Sequence, residues 1–362
     1  MKKKNKEFTQ GANFIHAALL LPITKRWSSL ISIQPFSTVN YSIQGNNTVV
    51  NDTNFYTFNF KGRGGLSNFL WSNGFKINNN FYFGVEGAYL FGKIDDEYRS
   101  KLNISEFDNV VLKYNWASFM RVKPGIVLTF FQYKKNAESN NSELKTKKYW
   151  IKKDSTFKPT GKQFSLGISL EQFKNINSSQ IITLQKIDFQ DRRIILDTLT
   201  KNGNYKINLP ENIRFGVSYE KKGQWSYVAD MKLGMWSNYS NDGRNSEKLK
   251  NTIFIGLGSE RFKSFKIRSV ERFYQLRYGL YYAELPFRIQ SEMIKEYAFT
   301  FGFSFLLPKI KGEGLQFPKF INVGFCIGTR GKLQDGFIRE DFLRLNIGVT
   351  VNDIWFIRPR ID

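Results

Sequence analysis

The chain contains one cysteine, Cys326, and one histidine, His16. A lone cysteine excludes an intrachain disulfide, and no metal-ligand spacing surrounds it. A barrel esterase or phospholipase would need a histidine to activate its serine, and His16 has no acidic partner near it in sequence. We therefore expect no enzyme, no cofactor and no bound metal. Also missing is any run of about 18 apolar residues, which excludes a membrane-spanning helix. Mean hydropathy is −0.39, yet this does not exclude a membrane barrel, because a barrel turns only alternate residues toward lipid. No segment shows helical periodicity. Acidic residues are few, 31 against 54 Lys and Arg, giving a net charge of +23. Such a balance invites a nucleic-acid reading. The basic residues, however, sit in polar stretches rather than on one helix: Lys134-Lys135, Lys145 to Lys148, Lys221-Lys222 and Lys248 to Lys250. Solvated loops beside an anionic lipid surface account for them, and no nucleic-acid partner is expected.

What is present is a period of two. In 342–355 (FLRLNIGVTVNDIW), Leu343, Leu345, Ile347, Val349 and Val351 share one face. Arg344, Asn346, Gly348, Thr350 and Asn352 share the other. Alternation of this kind specifies a strand. The pattern recurs at Phe69–Ile77, Phe81–Phe91, Leu112–Ala117, Pro124–Phe130, Phe164–Glu171, Ile213–Tyr219, Trp225–Met235, Glu296–Phe305 and Ile321–Gly328. Phe14–Leu21 and residues 28–43 read as two further extended stretches. Asn78-Asn79-Asn80 and Lys221-Lys222-Gly223-Gln224 read as tight turns, and residues 134–148 and 240–250 as polar loops. Strands of about ten residues joined by short turns and longer loops match the outer-membrane barrel pattern. Tyr297, Phe299, Phe301, Phe303 and Phe305 put five aromatics on one face. Lipid accommodates that face more readily than a sandwich core about 10 Å thick.

Four stretches resemble the FadL-like outer-membrane transporters of long-chain fatty acids and other hydrophobic compounds. They are 64–94 (GGLSNFLWSNGFKINNNFYFGVEGAYLFGKI), 209–239 (LPENIRFGVSYEKKGQWSYVADMKLGMWSNY), 276–308 (LRYGLYYAELPFRIQSEMIKEYAFTFGFSFLLP) and 322–362 (NVGFCIGTRGKLQDGFIREDFLRLNIGVTVNDIWFIRPRID). The resemblance implies an all-β fold, an antiparallel transmembrane β-barrel of about 14 strands, in the bacterial outer membrane. It also implies an N-terminal hatch, and hydrophobic cargo that passes by binding and diffusion. Residues 1–13 form only a short polar segment, so signal peptide and hatch are expected to be missing, with a single barrel domain over 14–362. That departure leaves a second expectation: a non-transporting FadL-like scaffold that partners a protein-secretion or surface-assembly complex. Expected surroundings are membrane lipids and lipopolysaccharide, with the chain as a monomer.

Asp230, Glu296 and Lys232 fall on polar faces and are the candidates for a lumen ring that orients or gates cargo. The plainer reading pairs each carboxylate with a neighbouring cation such as Lys232 or Lys295. Trp225, Trp236 and Trp355 read as interface aromatics. The GRGG at 62–65 lacks the helix that a phosphate loop requires.

Overall fold

The computed structural model describes residues 8, 10–48, 53–135, 157–188, 190, 192–202, 207–241, 244–245, 249–267, 270–289, 292–306, 319–333 and 339–351. The strands are β1 (Ala17–Pro22), β2 (Trp27–Thr48), β3 (Phe55–Lys76), β4 (Phe81–Leu102), β5 (Asp108–Lys135), β6 (Phe157–Ile187), β7 (Arg193–Asn202), β8 (Ile207–Asn208), β9 (Asn212–Lys221) and β10 (Trp225–Gly234). They continue with β11 (Ser240–Asn241), β12 (Arg244–Asn245), β13 (Thr252–Ile267), β14 (Val270–Ile289), β15 (Glu292–Leu306), β16 (Lys319–Gly331) and β17 (Arg339–Val351). Among the described residues the one departure is a 3-10 turn at Trp236–Asn238, and no helix is long and apolar enough to cross a membrane.

A 14-stranded antiparallel sheet forms the wall, in the order β1-β2-β3-β4-β5-β6-β9-β10-β13-β14-β15-β16-β17, with β7 added to β6 off that path. Apart from the β6–β9 and β10–β13 connections, neighbours in the sheet are consecutive in the chain, as antiparallel pairing permits. The sequence expectation of an all-β antiparallel barrel holds. β1 and β17 are the two ends of the strand order, and no pairing joins them among the described residues.

The outward face settles how the alternating residues are used. Leu257, Leu280, Ile327 and Leu345 are 56%, 58%, 59% and 55% exposed. A sandwich would have enclosed them between two layers; here they form the surface that meets hydrocarbon. Aromatic rings gather at two levels of this face. At the end carrying the 77–80 and 222–224 turns lie Trp27, Phe75 and Phe83, stacked across β2, β3 and β4 at 6.1 and 6.5 Å. Trp225 lies there too, between Tyr219 and Tyr227 at 5.2 and 5.3 Å. Tyr282 and Tyr297 sit 5.1 Å apart toward the other end. Trp225 thus takes the expected place in a belt, Trp236 lies in the 3-10 turn, and Trp355 lies outside the described residues.

Several boundaries differ from the sequence reading. β1 begins at Ala17 rather than Phe14. Residues 28–43 fall within the longer β2, and 112–117 and 124–130 belong to one 28-residue strand, β5. Strands of about ten residues hold for β9 and β10, but β2, β3 and β4 have 22 residues each and β6 has 31. At roughly 3.3 Å per residue, 22 residues reach about 70 Å, far more than a bilayer needs. The excess projects past the end opposite the 77–80 turn. The polar residues in these projections let a strand continue into water, so hydropathy alternation marks only the part in lipid. Residues 240–250, read as a loop, carry β11 and β12 in a small sheet with β8. Segment 136–156 lies outside the described residues, and the Lys135–Phe157 pairing puts its ends on the short-turn side. Short turns and long loops therefore do not segregate strictly to opposite ends.

Candidate functional site

Register decides what the polar face assembles. In β2 the pairing with β3 slips between Pro35 and Ser37. A slip of this kind leaves one residue unpaired and re-aims its side chain. Here that residue is Phe36, whose ring lies 6.2 Å from Phe119 on β5 and 6.2 Å from Phe173 on β6, both edge-on. Phe119 and Phe173 meet at 5.8 Å. Because β3, β4 and β5 separate β2 from β6 in the sheet, this contact crosses the interior: the β2–β6 wall curls until its two margins touch. Leu70, Ala88, Leu90 and Phe119 are buried in the plug so formed, with Leu30, Leu66 and Leu209 packed against them.

One row nearer the short turns, polar groups take over. Arg121 is 8% exposed and donates from Nη2 to Glu86 Oε1 at 2.6 Å and from Nη1 to Glu171 Oε1 at 3.2 Å. Glu171 Oε2 also accepts from Asn212 Nδ2 at 3.3 Å. On the far side of the plug, Tyr41, Asn115 and Gln180 join the Asp96 carboxylate in a ladder across β2, β4, β5 and β6.

Below the ion cluster lies a chamber of about 610 Å³, lined by Leu30, Glu86, Lys123, Arg214, Lys232 and Phe254 among others. Inward glycines make the room for it: Gly74, Gly84 and Gly125 stand in one cross-strand row, and Gly167 faces Gly216. Asp230 and Lys232 both line this chamber. Lys232 stands directly across from Arg214 on β9. Asp230 sits between Gly216 and Gly256 on the flanking strands.

Glu296 is elsewhere. It is buried on β15 and accepts from Tyr281 Oη at 2.6 Å and from Arg330 Nε at 2.7 Å, with Arg344 at 3.8 Å. Its cation is thus Arg330 on the next strand, not Lys232 or Lys295; Lys295 pairs across the strand with Glu284. The three sequence candidates therefore divide between two clusters. Sequence reasoning missed Arg121, Glu86, Glu171 and Phe36. The available signal was Arg121 inside the apolar run SFMRVKPGIVL. Among the described residues no three His, Cys, Asp or Glu side chains come together as metal ligands.

A family model described as BamG matches residues 1–362. The chain belongs to the BamG family. No curated protein matches it significantly. Among solved structures it is similar to the CymD monoaromatic hydrocarbon channel, at 11% identity over 93% of this chain and 82% of that one, with a TM-score of 0.50. It is also similar to the P. putida toluene transporter TodX, at 10% identity over 92% of this chain and 80% of that one, with a TM-score of 0.50. A Pseudomonas aeruginosa FadL homologue aligns at 10% identity over 92% of this chain and 76% of that one, with a TM-score of 0.45. This BamG-family chain thus has a FadL-like β-barrel fold, with an outward face of exposed apolar side chains.

Proposed function

We propose that this BamG-family barrel is a non-transporting scaffold, a partner in a protein-secretion or surface-assembly complex of the outer membrane. The aromatic plug held between β2 and β6 supports the reading. A solute entering from the short-turn end meets the Arg121 ion cluster and then the Phe36–Phe119–Phe173 plug. Separating a buried charge from its partners costs about 3–5 kcal/mol, and an apolar solute offers nothing in exchange.

A second reading is passage of long-chain fatty acids or other hydrophobic molecules by binding and diffusion. The fold likeness to a monoaromatic hydrocarbon channel and a toluene transporter favours it. In either reading membrane lipids and lipopolysaccharide surround the apolar wall, the single barrel domain over 14–362 works without a covalent step, and Asp230, Lys232 and Glu296 order the interior.

Two measurements separate the readings. Native membranes solubilised in mild detergent should yield the barrel in a stable large complex, and liposomes carrying the purified barrel should take up toluene and laurate no faster than empty ones. Saturable uptake by a monomeric barrel overturns the scaffold reading.

A further inference from the structure

The chamber is charge-frustrated. Arg214 and Lys232 are directly opposed residues of adjacent strands and share the inward face. Like charges in that relation destabilise a sheet, by an amount that water at the exposed Arg214 reduces. Lys123 adds a third cation to the same lining. Glu86 and Glu171 direct their hydrogen bonds to Arg121, at 2.6 and 3.2 Å, and so offset the chamber cations only in part. Among the described residues no ion pair reaches Lys123, Arg214, Lys232 or Asp230. Counting Arg121, Lys123, Arg214 and Lys232 against Glu86, Glu171 and Asp230 leaves one net positive charge, with Lys123, Arg214 and Lys232 on the chamber side of the cluster and available to an anion. Around the cations stand the hydroxyls of Ser28, Ser72 and Ser169, and the apolar Leu30, Val127 and Phe254.

We infer that this chamber is a binding site for a phosphate monoester group, held by Arg214, Lys232 and Lys123. The guanidinium fork of Arg214 can take two phosphate oxygens at once, while the two lysines act as point charges. The chamber's volume, about 610 Å³, leaves room beyond the phosphate for an organic remainder. Leu30, Val127 and Phe254 give that remainder an apolar surface. The ion cluster and plug close the chamber on one side, so the ligand enters from the short-turn end and leaves the same way. It is bound, not translocated. The inference shares the occluding plug with the scaffold reading, but the two are tested apart: titration reads binding, and liposome uptake reads transport.

The test is isothermal titration of the full chain, in a detergent free of phosphate, with hexyl phosphate, inorganic phosphate and hexanoate. Hexyl phosphate should bind saturably with one site per chain. Arg214→Gln combined with Lys232→Gln should weaken it at least about tenfold, equivalent to about 1.4 kcal/mol. Arg214→Lys should recover part of the loss. Without ligand the double variant should melt no lower than the parent, since it removes a repulsion. That readout separates loss of the site from loss of the fold. Equal binding of inorganic and hexyl phosphate identifies a free anion as the source, and preference for the ester identifies an amphiphile. The inference is overturned if neither phosphate binds saturably, if the double variant binds as the parent does, or if hexanoate binds as tightly as hexyl phosphate.

Discussion

Replacing Arg121 with methionine keeps most of the side chain's length and apolar stem while deleting the charge. Two carboxylates then lose their partner inside the barrel. Glu171 is 5% exposed and retains one hydrogen bond, from Asn212 at 3.3 Å. Glu86 is better served: its side chain is 20% exposed, Ser72 Oγ donates to it at 3.4 Å, and Lys123 stands across the strand. Breaking a buried pair by removing one partner costs about 3–5 kcal/mol. With Glu86 partly rescued, the lower end applies, about 3 kcal/mol. Adding Glu86→Gln and Glu171→Gln to the same chain removes the stranded charges and should return most of that loss, because a neutral site avoids the desolvation that makes isolated ions costly. The assay is urea unfolding of the barrel in lipid vesicles, followed by tryptophan fluorescence and checked by mobility in cold SDS gels. A loss below about 0.5 kcal/mol for Arg121→Met, the range of ordinary surface substitutions, refutes the reasoning. So does a triple variant less stable than the single one.

Three further outcomes follow from other parts of the wall. Gly64 has φ +111, and a Cβ there would lie 2.2 Å from the Lys93 carbonyl oxygen, a backbone atom that cannot swing aside. Gly64→Ala should cost about 1–3 kcal/mol in backbone strain and a similar amount from overpacking, read as a reduced folded fraction by gel mobility; an unchanged fraction contradicts the close approach of β3 to the Lys93 carbonyl on β4. Phe119→Ala should destabilise by about 3–5 kcal/mol, since Phe119 is 3% exposed and bears on both Phe36 and Phe173; a loss under about 1 kcal/mol in the same urea assay would show that the plug collapses freely. In the turn after β6, burial raises the pKa of the Asp188 carboxyl, but hydrogen bonds from Arg192 and Gln190 outweigh this and hold it below the usual 3.8. Its contribution to the turn is complete above the unfolded value of about 3.9 and is lost as pH falls through the lower folded value. The Arg192 amide resonance should therefore titrate with a midpoint below 3.8, and should not do so in Asp188→Asn; a midpoint at or above the ordinary value removes the claim.

The GRGG at 62–65 shows how a short motif is decided by its surroundings. The sequence alone discounted a phosphate loop for want of a helix. The structure supplies the reason for the glycines: the residues lie within β3, where a Cβ on Gly62 would enter the Tyr41 ring at 2.1 Å, and one on Gly65 would meet the Ser37 carbonyl at 2.2 Å. Nothing in a single strand announces those neighbours.

What the sequence determined by itself was the material of the wall. Alternation is a local property, because successive side chains of a strand point to opposite sides whatever lies beside it. Hence strand type, the lipid-facing set from Tyr297 to Phe305, and the polar placement of Asp230, Lys232 and Glu296 could all be read along one dimension. Tertiary structure alone decided which polar residues meet. Arg121 finds carboxylates 35 and 50 residues away, and Glu296 finds Arg330 34 residues away. Those meetings depend on register, which turns and bulges far along the chain set and which a slip of one residue would reverse. The same dependence hid the plug. It took an unpaired Phe36 and the curl of an entire sheet to bring β2 against β6.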